Sequence, residues 1–150
     1  MSRAVLLNPD GVLRRNLRRG KRAVTTAHQP AIAIKRRSTT RFSESVDFDQ
    51  ALGTGGGKQF DYLLFTAENG DRIYLVEVHP AHTGNVNEVI EKRRASLEWL
   101  SQNEPALHAV AKDEVLWWIS TASVRITPNS PQARRLSLAQ VRIVGQLVVS

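Results

Sequence analysis

Two runs rich in β-branched and aromatic residues, Phe60-Asp61-Tyr62-Leu63-Leu64-Phe65-Thr66 and Arg72-Ile73-Tyr74-Leu75-Val76-Glu77-Val78-His79, flank the dipeptide Asn69-Gly70. Asn-Gly suits a tight hairpin turn because both central positions take positive φ. The pattern predicts an antiparallel hairpin in which residues whose numbers sum to about 139 face one another. This register constrains the rest of the reading, because it puts Asp61 at one end of the sheet close to Glu77 and His79. Two residues apart on one strand, Glu77 and His79 share a face.

Other elements arrange themselves around the hairpin. From Thr39, the residues Phe42, Val46 and Phe48 alternate with Ser43, Ser45, Asp47 and Asp49, which predicts a half-buried strand. The glycines from Gly53 to Gly57 then interrupt the chain. Lys58 follows them, but the cluster lacks the Ser/Thr and the preceding strand of a phosphate-binding loop and reads as a flexible connection. Asn85-Val86-Asn87-Glu88 has the form of a capping box, and Val86, Val89, Ile90, Leu97 and Leu100 fall near one helical face up to Gln102, before Asn103-Glu104-Pro105. Val115 to Ile119 reads as a buried central strand, with Trp117 and Trp118 on opposite faces. A short helix from Ala133 to Gln140 and a last strand from Val141 to Val149 complete the expectation. The predicted fold is α/β, a mixed sheet with an antiparallel three-strand meander, a crossover helix and a further strand.

Charge divides the chain unevenly. Residues 1–42 hold eleven Lys and Arg against Asp10 alone, net +10, whereas residues 43–150 hold ten against thirteen acids, net −3. The expected layout is therefore a basic N-terminal arm over residues 1–38 and a domain over residues 39–150. A cationic segment on a near-neutral body suits a polyanion, because neutralised phosphates release counterions. Arg14, Arg15, Arg18, Arg19, Lys21, Arg22, Lys35, Arg36 and Arg37, together with Lys58, are the candidate nucleic-acid contacts, with DNA the first expectation. The absence of cysteine excludes disulfides, thiolate nucleophiles and cysteine-ligated metal sites. The longest apolar runs, residues 31–34 and 115–119, fall far short of the roughly 20 residues that span a bilayer. A cytoplasmic protein is expected, alone, as a homodimer or within a larger complex.

Asp61, followed sixteen residues later by Glu77-Val78-His79 within a strand-strand-strand-helix-strand order, resembles the restriction-endonuclease-like PD-(D/E)XK nuclease superfamily. The resemblance covers roughly residues 39–120 and is nearest to small junction-resolvase-type or mobile-element nucleases. It implies that Asp61 and Glu77 hold Mg²⁺ or Mn²⁺, with the Val78 carbonyl as a further oxygen, and that a cation steadies the attacking water or the phosphorane. Two departures stand out: His79 occupies the lysine position, and no proline precedes Asp61. An imidazole can act as a base but is not a permanent ammonium. Lys92 on the following helix and Lys58 in the glycine-rich connection are the candidates to replace it. Two readings follow, a metal-dependent DNA nuclease and a catalytically inactive nucleic-acid-binding accessory or interaction protein. A zinc site from Glu77, His79 and His82 is disfavoured by Pro80, which breaks the strand between the histidines.

Overall fold

The computed structural model describes residues 2–53, 58–68 and 70–150. After a 3₁₀ turn over Arg3–Leu6, the elements in chain order are a one-turn helix α1 (Val12–Arg15), strands β1 (Arg18–Arg19), β2 (Ile32–Ile34) and β3 (Arg41–Asp47), and a short helix α2 (Phe48–Leu52). The hairpin strands β4 (Tyr62–Ala67) and β5 (Arg72–Val78) follow, then helices α3 (Val86–Asn103) and α4 (Pro105–Ala111) and strand β6 (Leu116–Ile119). Helix α5 (Pro131–Leu138) and strands β7 (Val141–Val144) and β8 (Leu147–Val149) end the chain.

Six strands form one mixed sheet in the order β1-β3-β4-β5-β6-β7, antiparallel from β1 to β5 and parallel from β5 to β7. The change of direction follows from the connections: a tight turn returns β5 beside β4, whereas α3 with α4, and later α5, carry the chain back so that the next strand runs parallel. The α/β architecture with the β3-β4-β5 meander and a crossing helix is as the sequence predicts. Hairpin partners such as Tyr62 and Val76 sum to 138, one less than the expected register. Asn69 lies outside the described residues; its neighbours Glu68 and Gly70 have φ of 64° and 103°.

Both faces of the sheet are covered, which explains why its central strands read as nearly continuous apolar runs. On one face Leu63, Phe65, Ile73, Leu75 and Trp118 belong to the core that holds Val89 and Leu100 of α3 and Leu107 of α4. On the other, Tyr62, Leu64, Tyr74, Val76 and Ile119 pack with Val24, Ile32, Leu147 and Val149. The small parallel sheet of β2 and β8 caps this second face.

Several local expectations are corrected. Phe48 leaves the strand: Asp47 accepts from the Gln50 amide at 3.0 Å and starts α2, and Phe48 turns its ring against Phe60 and Trp99. Gly53 closes α2 at φ 60°, and residues 54–57 of the glycine cluster lie outside the described residues. The capping box does not form, because a 3₁₀ turn over Thr83–Asn85 precedes α3 and gives Asn85 a helical backbone with no side-chain cap. Pro105 both ends α3 and opens α4, an unforeseen helix whose first position tolerates a missing N–H. The Ser130 hydroxyl accepts from the Ala133 amide, and Pro131 starts α5 two residues before the expected Ala133. The predicted last strand is two strands in different sheets, parted at Gly145-Gln146.

The N-terminal segment expected as an arm is packed against the sheet. Ala4, Leu7, Leu13, Val24 and Ile32 are buried, β1 pairs with β3, and β2 pairs with β8 across the proposed boundary at residue 38. Some of the basic residues help to fix it. Arg14 donates to the Ala4 and Leu7 carbonyls at 3.0 and 3.1 Å, and Lys21 to the Gln29 and Ile32 carbonyls at 3.1 and 2.7 Å. The Tyr62 hydroxyl, 2.9 Å from His28 Nδ1, donates to Thr25 Oγ1 at 3.0 Å and ties the segment to the hairpin. Sparse apolar residues among arginines conceal this docking in the sequence, because each pairs with a partner distant along the chain.

Candidate active site

Asp61 precedes β4 by one residue, and extending the 138 register by one step sets it across from Glu77. Both therefore stand at the same end of the sheet on the face covered by α3. Asp61 is partly buried, and its Oδ2 accepts from the Val78 amide at 2.8 Å. The Asp61 carbonyl in turn accepts from the Phe48 amide at 2.8 Å, which fixes the end of β4 against the start of α2. Because a strand residue directs its amide and carbonyl to one edge, the Val78 carbonyl opens on the Asp61 side.

Glu77 is 1% exposed, and its Oε2 accepts from Lys92 Nζ at 2.7 Å. Lys92 comes from α3, and the Glu88 carboxylate one turn earlier is 3.8 Å from the same nitrogen. Burial, then the nearby Asp61 charge, push the Glu77 carboxyl up to about 8, while Lys92 pulls it the other way. Burial likewise raises Asp61, with the Val78 amide and Lys92 opposing and the Asp49 charge adding to it. Burial draws the Lys92 ammonium down, but the hydrogen bond to Glu77 and the charges of Glu77 and Asp61 outweigh it and hold Lys92 above its usual range. Asp61, Glu77 and the Lys92 ammonium thus share a poorly solvated corner. Glu77 Oε1 is buried there without a hydrogen-bond partner, as is Asp49 Oδ1 on the neighbouring helix α2.

Of the candidate residues, Asp61, Glu77 and Lys92 come together. Val78 joins them through its main chain. His79 follows the end of β5, with its amide donating to Ile119 at 3.1 Å and its carbonyl accepting from Trp118 Nε1 at 2.9 Å. The cation in contact with the acidic pair is the Lys92 ammonium, 2.7 Å from Glu77. Lys58 is exposed and shares a shallow cleft of about 390 Å³ with Glu88 and Lys92. Asp49 is the residue that the sequence reading missed as part of this corner. It looked like a solvent-facing strand position, and only the turn into α2 brings it near Asp61.

Among the described residues no three His, Cys, Asp or Glu side chains are grouped to hold a metal ion, the Glu77, His79 and His82 combination included. The donors that do converge, two carboxylates and a carbonyl edge, are hard oxygens of the kind Mg²⁺ takes while keeping several waters. The unpartnered Glu77 Oε1 is a lone acceptor that a cation would satisfy.

The basic surface lies close by. Arg18 pairs with Ser45 and Arg19 with Glu44 on β3, which ends at Asp47 beside Tyr62 and so beside Asp61. Arg18 and Arg22 line a cleft with Asp47 and Gln50. Arg15, Arg18, Arg19, Arg22, Lys35, Arg36 and Arg37 are exposed, whereas Arg14 and Lys21 are committed to internal carbonyls. No described helix is long and apolar enough to cross a membrane. No family model, curated protein or solved structure matches the chain.

Proposed function

We propose that the chain is a nucleic-acid-binding protein with a restriction-endonuclease-like core, acting as a Mg²⁺- or Mn²⁺-dependent DNA phosphodiesterase at Asp61 and Glu77. The observation that carries this reading is the convergence of these two carboxylates at one sheet end with the buried Lys92 ammonium 2.7 Å from Glu77. Lys92 takes the place of the lysine that the strand lacks at His79. Asp61, Glu77 and the Val78 carbonyl would hold the cation. When bound, the cation supplies Lewis-acid stabilisation of charge on the phosphoryl oxygens. Lys92 offsets part of the negative charge of the corner as Glu77 ionises, and the exposed arginines of the β1 region hold neighbouring phosphates of the strand.

A second reading, a nucleic-acid-binding protein without catalysis, is favoured by one specific feature. The Lys92 ammonium already occupies Glu77 Oε2 at 2.7 Å, and only two carboxylates face the candidate metal position.

One experiment separates the two. On the nuclease reading, purified protein nicks plasmid or branched DNA in Mn²⁺, and Asp61→Asn and Glu77→Gln each remove cleavage while DNA retention persists. Retention without cleavage in any divalent metal establishes the second reading. In both cases retention weakens steeply with salt and with the double charge reversal Arg18→Glu, Arg22→Glu. Loss of cleavage together with loss of the folded state in Asp61→Asn assigns that residue to stability alone.

A further inference from the structure

We infer that the free edge of β7 is a docking site for an extended segment of a partner protein in which apolar and acidic residues alternate. This role is independent of the Asp61 and Glu77 corner. Among the described residues β7 is the last strand of the sheet, with β6 on one side only. The Gln140 and Val144 carbonyls accept from the Leu116 and Ser120 amides at 2.9 Å, so the even-numbered residues bond towards β6. The intervening Val141 and Ile143 therefore direct their amides and carbonyls outward, along an edge that an added strand can read.

The two sides of this edge differ. On the α5 side lies a cleft of about 390 Å³ whose lining includes Val124, Ile126, Ala133, Leu136 and Ile143. Val124 is 49% exposed, and Leu138 at the end of α5 is 86% exposed. On the opposite side the Arg142 guanidinium lies over the Trp117 ring, 5.3 Å from its centroid. A strand laid along β7 would place every second side chain against the apolar cleft and the alternate ones beside Arg142, because strand side chains alternate between faces.

Charge selects the occupant. From Val115 to Ser150 the chain carries four arginines, Arg125, Arg134, Arg135 and Arg142, and no aspartate or glutamate. All four are exposed; Arg142 lines the cleft, and Arg125, Arg134 and Arg135 each adjoin in the chain a residue that does. A second copy would bring these like charges together, which works against self-pairing of the edge. The apolar side chains of the cleft, Val124, Ile126, Ala133, Leu136 and Ile143, offer nothing to a phosphate backbone. An acidic, alternating polypeptide satisfies the edge, the cleft and the arginines together.

The test uses a labelled synthetic peptide alternating valine and glutamate, titrated into the full chain and followed by fluorescence anisotropy. Saturable binding is expected, weakened roughly tenfold by Arg142→Glu and weaker for the same peptide with lysine in place of glutamate. Methylating the peptide amides that face β7 should abolish it, because the main-chain bonds then cannot form. The inference is overturned by the absence of saturable binding, by equal binding of the glutamate and lysine peptides, or by indifference to amide methylation. It is equally overturned if sedimentation shows this edge joining two copies of the chain, or if a DNA oligonucleotide displaces the peptide in a manner dependent on Arg142.

Discussion

On the inward face of α3, Lys92 lies 2.7 Å from Glu77; two residues on, on the outward face, Arg94 lies 2.7 Å from Glu98 and also pairs with Glu91. The contacts are alike in length and differ in surroundings. Burial and a neighbouring carboxylate raise Glu77 to about 8 although an ammonium touches it. Glu91, open to solvent, is lowered chiefly by its hydrogen bond with Arg94. In the buried pair the cost of removing charge from water competes with the attraction. In the exposed group water already solvates both partners, and the attraction is screened. The comparison shows that a short ion pair marks a potential chemical site only where desolvation leaves a group with an unmet demand, such as the partnerless Glu77 Oε1.

Three measurements can break or sharpen this contrast. The largest effect is expected from Lys92→Met, which leaves Glu77 and Asp61 without their common cation and should cost about 3 kcal/mol in denaturant unfolding. A loss no greater than that of an exposed substitution would place the pair outside the energetics of the fold. Next is a dependence on pH. Folded Glu77 keeps its proton up to about 8, whereas in the unfolded chain it releases it near 4.5, so between these values the folded state binds more protons. Its contribution must therefore make stability fall as pH rises through this window, and Glu77→Gln should flatten that slope. A slope identical in wild type and variant contradicts the burial argument. Arg94→Ala should change least: the unfolding midpoint stays unmoved, and added salt makes no difference between variant and wild type. A clear destabilisation would mean that the exposed group acts as a network.

The sequence made legible what depends on local pattern. Asn69-Gly70, the two apolar runs and the helical face from Val86 to Leu100 sufficed for the meander and the crossover helix. Residue spacing then put Asp61 and Glu77 at one end of the sheet. Turn chemistry was harder to read: Asp47 and Ser130 both start helices, but each sits where alternation or loop composition hid it. Lys92 could be offered as a candidate cation because it lies one helical turn beyond Glu88, but the sequence also offered Lys58. Nothing local fixed the choice, because the packing of α3 on the odd-numbered face decides which lysine reaches Glu77.

Pattern along the chain therefore determined the strands, the main helix and the acidic pair, since periodicity and turn preference act between near neighbours. Tertiary packing alone decided three other features: the burial of the N-terminal segment, the entry of Asp49 into the acidic corner and the bare edge of β7. Each depends on contacts between residues far apart in the chain. The energy of such contacts comes from area removed from water and from charge left unsolvated, and neither quantity exists until the chain has closed on itself.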